Sequence, residues 1–319
     1  MSLSLVRFTR SNASPSWGLL QGGEIRPLSI PCTTTAALLA HSHAAIRASV
    51  QDSLLPLADN LQLLSPITRD AKVLCQGANY RQHMLDSGVD PDAKRFNMFF
   101  TKSSASIHDP VGSIVRPRHV QLLDYEVELT LVLGKATTSA VKVSAANLHE
   151  YVAGICIGND VSARCVQIPQ MQFHKGKSYR TFCPLGPVLC LLEPEEMHYL
   201  DDLQLSLTVN GEVRQQDSTA NLVFKPAETL TEYSQIADFN PGDVIMTGTP
   251  SGCALGLPNP TVVRASAMLP DPVRFGLFLK AQLRRPQYLK NGDRVEVRIA
   301  SRDGRLDLGV QRHTIVPEA

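Results

Sequence analysis

The sequence predicts a β-rich α+β fold, a mostly antiparallel β body preceded by a small α+β domain. Apolar and polar residues alternate over many short runs, which is the period of a strand and not of a helix. Gly-Asp, Asn-Gly and Asp-Gly pairs separate these runs, and such pairs turn tightly because they tolerate positive φ. Strand and helix patterns do not alternate regularly, so no parallel doubly wound sheet is expected.

Residues 1–68 read as the small domain. Strands at "SLVRF", "WGLLQ" and "EIRPL" lead into one helix, "AALLAHSHAAIRASV", which Thr33 to Thr35 can cap. The loop "LLSPITRD" marks the boundary, and residues 69–319 form the body. There "LDYEVELTLVLG" alternates strictly, with apolar Leu123, Tyr125, Val127, Leu129, Leu131 and Leu133 against Asp124, Glu126 and Glu128. A short helix is expected around Ala145 to Tyr151, a strand from Val152 to Gly158, and a second helix around Ala227 to Ile236. Hairpins turn at Asn210-Gly211 and Asp303-Gly304. Residues 257–289 interrupt the strand text as an insertion, ending in an amphipathic helix, "VRFGLFLKAQLRR", opened by Pro272.

Bulk properties narrow the function. The chain has 319 residues, 43% of them hydrophobic, enough for a substantial core. A net charge of +1 without a dense basic run argues against nucleic acid as a partner. Arg7 and Arg10 break the apolar start too early for a signal peptide, and no stretch approaches ~18 apolar residues, so a cytoplasmic protein with no membrane partner is expected. Seven scattered cysteines lacking a C-x-x-C pair fit neither a disulfide framework nor a zinc knuckle. They read as small core hydrophobes without a catalytic role.

The acids of "LDYEVELTLVLG" are the informative anomaly. Side chains at i, i+2 and i+4 share a strand face, so three like charges would crowd together. Either water covers that face or a cation does. Asp160, where the strand Val152 to Gly158 runs out, can join them, and hard divalent ions take several such oxygens. Spacing alone leaves both readings open.

Seven stretches in order, "GANYRQHMLDSG", "FFTKSSASIHDPVGSIVRP", "LDYEVELTLVLG", "AGICIGNDVSARCVQ", "HKGKSYRTFCPLGP", "VNGEVRQQDS" and "NPGDVIMTGTPSG", resemble the fumarylacetoacetate hydrolase superfamily. The resemblance spans about residues 71–256 and resumes in the closing hairpin to about Val316. It implies a body of the fumarylacetoacetase type, a homodimer, and Mg²⁺ or Mn²⁺ (Ca²⁺ in some crystals) held by Glu126, Glu128 and Asp160, with Asp124 a neighbouring acid and not a ligand.

Further site residues follow from residue chemistry and the same resemblance. His83 and Asp86 stand three apart and would share a helical face, so the carboxylate could orient the imidazole as a general base. The family's lid carries a similar His-x-x-Glu pair, and here the acid is one methylene shorter. Lys177 is the expected oxyanion stabiliser, and Lys102, Arg164, Gln167 and Thr249 the substrate-binding groups, with Arg164 equally able to serve as a structural ion-pair partner. Two departures stand out, Ser103 after Lys102 where the family has Pro, and Arg180 where it has an acid. Tyr80 and Tyr179 read equally well as packed residues.

The activity these features imply is metal-dependent hydrolysis of a C–C bond in a small diketo or acylpyruvate-type acid, a water-initiated retro-Claisen cleavage. The alternative is a lyase, either an oxaloacetate-type decarboxylase or a decarboxylase or isomerase of a hydroxydiene-dioate from aromatic catabolism. Either substrate is a small anionic 2-oxo acid. A non-enzymatic binding module is the remaining reading, against which the retention of all three ligands, His83 and Lys177 argues. Selectivity is expected to lie in the lid "SGVDPDAKRF" and the 257–289 insertion.

Overall fold

The computed structural model describes all of residues 1–319 except 11–12, 57–60, 87–89, 94–95, 257–261, 263–265 and 267. Parts of the lid and of the insertion therefore lie outside the described residues. An 11-stranded sheet forms the centre of the fold. In spatial order it runs Leu55–Pro56, Glu24–Pro27, Ser16–Gln21, Leu3–Arg10, Val188–Leu191, Val152–Asn159, Val127–Leu133, Val244–Met246, Val73–Gly77 and Met98–Lys102, with Leu61–Leu64 also pairing with Leu3–Arg10. Only the Val244–Met246 to Val73–Gly77 contact is parallel. The N-terminal strands thus extend the body's own sheet, Leu3 pairing with Leu191 and Val6 with Val188.

A 5-stranded sheet lies apart from this one, in the order Glu212–Ser218, Leu203–Val209, Arg294–Ser301, Asp307–Pro317, Val111–Arg116. Both expected hairpins fold into it. At the first, Asn210 and Gly211 take φ of 53° and 84°, the pair of positive values that a two-residue turn requires.

Apolar side chains of the two sheets meet in the main core. Leu129, Leu131, Ile155 and Ile157 from the large sheet share it with Leu205, Leu207, Val297 and Ile299 from the small one. Alternate residues point the other way, where Val132, Cys156 and Met246 pack with Leu38 and Ile46 of two N-terminal helices. The strand Val127–Leu133 is therefore buried on both faces. Its neighbour Leu123–Asp124 separates from it and pairs with Ser162–Ala163, so "LDYEVELTLVLG" is two strands and not one.

Two helical expectations are modified. The single N-terminal helix is two, Thr35–Leu39 and His43–Ala48, because Ser42 caps the Ala45 N–H and starts a second helix just as Thr34 starts the first. The insertion helix spans Asp271–Gln282 and packs Phe278 and Leu279 on the core, while Val273 and Leu277 stay exposed. The expected helices at 145–151 and 227–236 shorten to Leu148–Tyr151 and Pro226–Tyr233. Two short helices that bear site residues were not expected, Arg164–Gln167 and Phe173–Lys177, whereas Arg81–Asp86 supplies the helical turn expected for His83 and Asp86. Among the described residues no helix is long and apolar enough to cross a membrane.

Candidate active site

Antiparallel register decides which acids meet. Val127 faces Asn159 and Glu128 faces Gly158. One step beyond that ladder Glu126 faces Asp160, whose N–H donates to the Glu126 carbonyl at 2.9 Å. Glu128, two residues on, projects to the same side as Glu126. Carboxylate oxygens of Glu126, Glu128 and Asp160 consequently lie within 4.8 Å of one another. Glu126 is 6% exposed, Glu128 1% and Asp160 0%, which removes the reading in which bulk water covers this face.

Three cations are drawn into the cluster. Lys177, at the end of Phe173–Lys177, donates to Glu126 Oε2 and Asp160 Oδ2, both at 2.5 Å. Arg164 opens the helix Arg164–Gln167 and divides its guanidinium among Asp124 (2.8 Å), Gln167 Oε1 (2.7 Å) and Glu126. Lys102 ends the edge strand and donates to Asp160 and to the Phe182 carbonyl at 2.9 Å. Against these stand four carboxylates, Asp124, Glu126, Glu128 and Asp160, which leaves one negative charge in excess.

The excess falls on Glu128. It accepts from the Gly248 N–H at 2.8 Å, and no cation among the described residues hydrogen-bonds to it. Gly248 has φ of +91°, and a Cβ there would stand 2.9 Å from Asn79 Cβ, so only glycine delivers this N–H. Burial, reinforced by the charges of Asp160 and Glu126, pushes the Glu128 carboxyl well above the ordinary range. Burial would raise Glu126 too, but Arg164 and Lys177 hold it down, to about 2. Lys177 shows the reverse, its ammonium kept charged despite burial by Asp160 and Glu126.

This donor set fits a hard divalent cation. It offers carboxylate oxygens only, would carry one unbalanced negative charge with Glu128 ionised, and already holds an ammonium between two of its members as a stand-in. Glu126, Glu128 and Asp160 would hold the ion. Asp124 would not, because its oxygens receive the N–H groups of Tyr125 (2.9 Å), Ala254 (2.7 Å) and Leu255 (3.0 Å) besides Arg164. Its task is to fix the 254–255 backbone above the cluster.

A cavity of about 480 Å³ opens over these acids. His83, Asp86, Glu126, Glu128, Arg164, Gln167, Lys177 and Thr249 all line it. Asp160 lies beneath, screened by Lys177. Lys102 corrects the expectation of a substrate-binding group: its side chain has 0% exposure and its ammonium is committed to Asp160 and main-chain carbonyls. Arg164 behaves as the structural ion-pair alternative, since all of its described contacts hold protein groups in place.

His83 and Asp86 lie on one helical turn as expected, in Arg81–Asp86, but no hydrogen bond joins them. Asp86 instead accepts from Gln82 at 2.8 Å and from Ser251. Burial lowers the His83 pKa, with Glu126 opposing, so the ring stands neutral in the cavity wall and able to accept a proton. Thr249 Oγ1 accepts from Gln215 Nε2 at 2.8 Å, and Gln215 Oε1 accepts from the Val127 N–H at 2.9 Å. That buried glutamine ties the turn to the acid-bearing strand; it stands within the stretch "VNGEVRQQDS", but no role was read for it there. Phe100 and Phe173, 5.3 Å apart, supply an apolar wall. Arg285, from the insertion, reaches the rim.

The cysteines lie in the interior, as expected of small core hydrophobes. Six are buried and Cys165 is partly so, and all are free. Burial, reinforced by the charge of nearby Glu126, raises the Cys253 thiol well above its ordinary value, which makes it a poor nucleophile. Tyr80 is fully buried, and Tyr179 hydrogen-bonds His119 at 2.9 Å.

Comparison with known proteins agrees with this geometry. Residues 72–316 match the family model described as fumarylacetoacetate (FAA) hydrolase C-terminal. A mitochondrial oxaloacetate tautomerase of Rattus norvegicus is 34% identical over 248 residues, covering 77% of this chain and 69% of the relative. The human tautomerase is matched over 65% of its length, so the chain spans about two thirds of these relatives. Among solved structures, a fumarylacetoacetate hydrolase from Exiguobacterium antarcticum superposes with a TM-score of 0.75 at 28% identity, over 99% of this chain and 100% of that one. A 5-carboxymethyl-2-hydroxymuconate delta-isomerase from Mycobacterium smegmatis gives 0.71 at 25% identity, with 99% and 100% covered.

Proposed function

The chain belongs to the fumarylacetoacetate hydrolase family, and on that premise we propose that it is a divalent-metal-dependent enzyme interconverting the keto and enol forms of a small oxaloacetate-type 2-oxo acid. One observation carries the reading: the buried Glu126–Glu128–Asp160 cluster floors a cavity whose wall bears a neutral imidazole. Mg²⁺ or Mn²⁺ bound there supplies a Lewis acid that stabilises negative charge developing on the substrate's oxygens.

The chain's own groups do the rest. Enolisation needs a base at the carbon beside the carbonyl and a place for charge on oxygen. The unprotonated ring nitrogen of His83 takes the carbon-bound proton, the enolate oxygen takes one from solvent as the imidazolium gives its own up, and the same transfers run backwards in the reverse direction. Lys177, fixed by two carboxylates, keeps a full positive charge near the oxygen that becomes enolic. Phe100 and Phe173 shield one side from water.

Hydrolytic C–C cleavage is the second reading. The similarity to the Exiguobacterium hydrolase favours it, and His83 would then deprotonate water. It ranks below enolisation because the His83–Asp86 pair that would hold a water-activating imidazole in place is not hydrogen-bonded. The reading also takes the protein to be a homodimer, supported by the exposed apolar Val273 and Leu277, and sedimentation tests it.

Proton NMR of oxaloacetate in D₂O with Mg²⁺ or Mn²⁺ decides between the activities. Catalysed deuterium exchange at the carbon beside the carbonyl, without loss of carbon, supports the tautomerase. Cleavage of acetylpyruvate without such exchange supports the hydrolase, and neither result with either metal would end the proposal.

A further inference from the structure

The cavity's cations are unequally committed. Lys177 and Arg164 are each bound to carboxylates at the floor, and His83 is neutral. Arg285 differs from all three. It follows the helix Asp271–Gln282 and its Nε donates to the Ala254 carbonyl at 2.8 Å. Among the described residues no carboxylate pairs with its guanidinium, so its two terminal nitrogens keep their donors available at the rim.

Its position is nevertheless fixed. A Cβ on Gly256 would lie 2.3 Å from Arg285 Cζ, so the guanidinium lies directly against the bare Gly256 backbone. Ala254, which accepts from Nε, is itself held by Asp124 through its N–H. Gln282 braces the same strip, donating to the Gly256 carbonyl at 2.6 Å. A charge immobilised in this way loses little conformational freedom when it binds an anion, and the guanidinium fork suits a carboxylate.

We infer that Arg285 is a specificity-determining residue that receives a second carboxylate, borne by the substrate at the end remote from its 2-oxo acid group. The inference rests on the proposed reading for its substrate class. The floor takes the reacting end, and the rim discriminates dianionic from monoanionic acids. Arg285 lies in the 257–289 insertion, so the selectivity comes from a segment outside the seven stretches that carry the family resemblance.

Paired anions that do not react provide the test. Malate and lactate differ by one remote carboxylate, and calorimetry with Mg²⁺ present gives their affinity ratio for the wild type, Arg285→Gln and Gly256→Ala. The Gln variant removes the charge, whereas the Ala variant keeps it and displaces it. Preference for malate should fall about ten- to a hundredfold in Arg285→Gln, the loss expected for one charge-assisted contact, and should also fall in Gly256→Ala. Deuterium exchange into oxaloacetate should fall more than exchange into pyruvate by a similar ratio. An unchanged malate-to-lactate ratio in Arg285→Gln, with thermal unfolding like the wild type, would overturn the inference. If no 2-oxo acid exchanges at all, the proposed activity fails, and the malate-to-lactate ratio still judges Arg285.

Discussion

The floor of the cavity and its rim solve opposite problems. At the floor, four carboxylates and three cations sit together out of water, and each described cation is bound to carboxylates. At the rim, Arg285 has a carbonyl partner but no described carboxylate, and the neighbouring helix leaves Val273 and Leu277 in solvent. Buried charge costs several kcal/mol per ion unless it is paired, so the floor tolerates almost no substitution and should be rigid. Arg285 is only partly buried, so its charge carries a smaller penalty and the rim can vary. On the proposed reading, chemistry is thus separated from choice of substrate.

Several substitutions would break this contrast if it is wrong. The largest effect should come from the floor. Glu128→Gln keeps size and removes the charge that no cation meets, and turnover should fall about a thousandfold or more, as should that of wild type treated with a chelator. Steady-state rates with and without added Mn²⁺ measure both. Arg164→Ala strands Asp124 and Glu126 without their shared partner, and unfolding in urea should show about 3–5 kcal/mol of lost stability. His83→Gln removes the base while sparing the charge network, so kcat should drop roughly a hundred- to ten-thousandfold with metal affinity unchanged.

A smaller effect is predicted away from the site. His313 is buried, its Nε2–H donates to the Asp109 main-chain carbonyl at 2.9 Å, and its ring faces His108 at 5.7 Å between ring centres. Burial lowers its pKa from 6.5 to about 4. The unfolded chain therefore binds the extra proton first. Stability is complete above pH 6.5 and declines as pH falls toward 4, by about 3 kcal/mol from this residue. Urea midpoints for wild type and His313→Gln, taken between those pH values, should converge as the pH falls.

Legibility in the sequence followed the same division. Strict alternation and an i, i+2 pair of acids placed Glu126 and Glu128 on one face, and their position beside Asp160 needed only the antiparallel register that these strands adopt. Local turn chemistry likewise announced both hairpins. Lys102 was misjudged because sequence shows a charge but not the depth at which its strand ends. Gln215 was missed because its role comes from the packing of one sheet against another, which no local pattern records. Arg285 was out of reach for a similar reason: its importance depends on Asp124, the 254–256 strip and Arg285 itself converging from three separate parts of the chain. Asp124 was read as a neighbouring acid, but what it anchors, the Ala254 and Leu255 N–H groups, appears only in the fold.

The central claim is that Glu126, Glu128 and Asp160 hold a divalent cation while Asp124 does not. Calorimetric titration of the metal-free protein with Mn²⁺ tests it most directly. The account predicts saturable binding near one ion per chain, abolished in Glu128→Gln and in Asp160→Asn. Undiminished Mn²⁺ affinity in both variants, each shown to be folded, would contradict it.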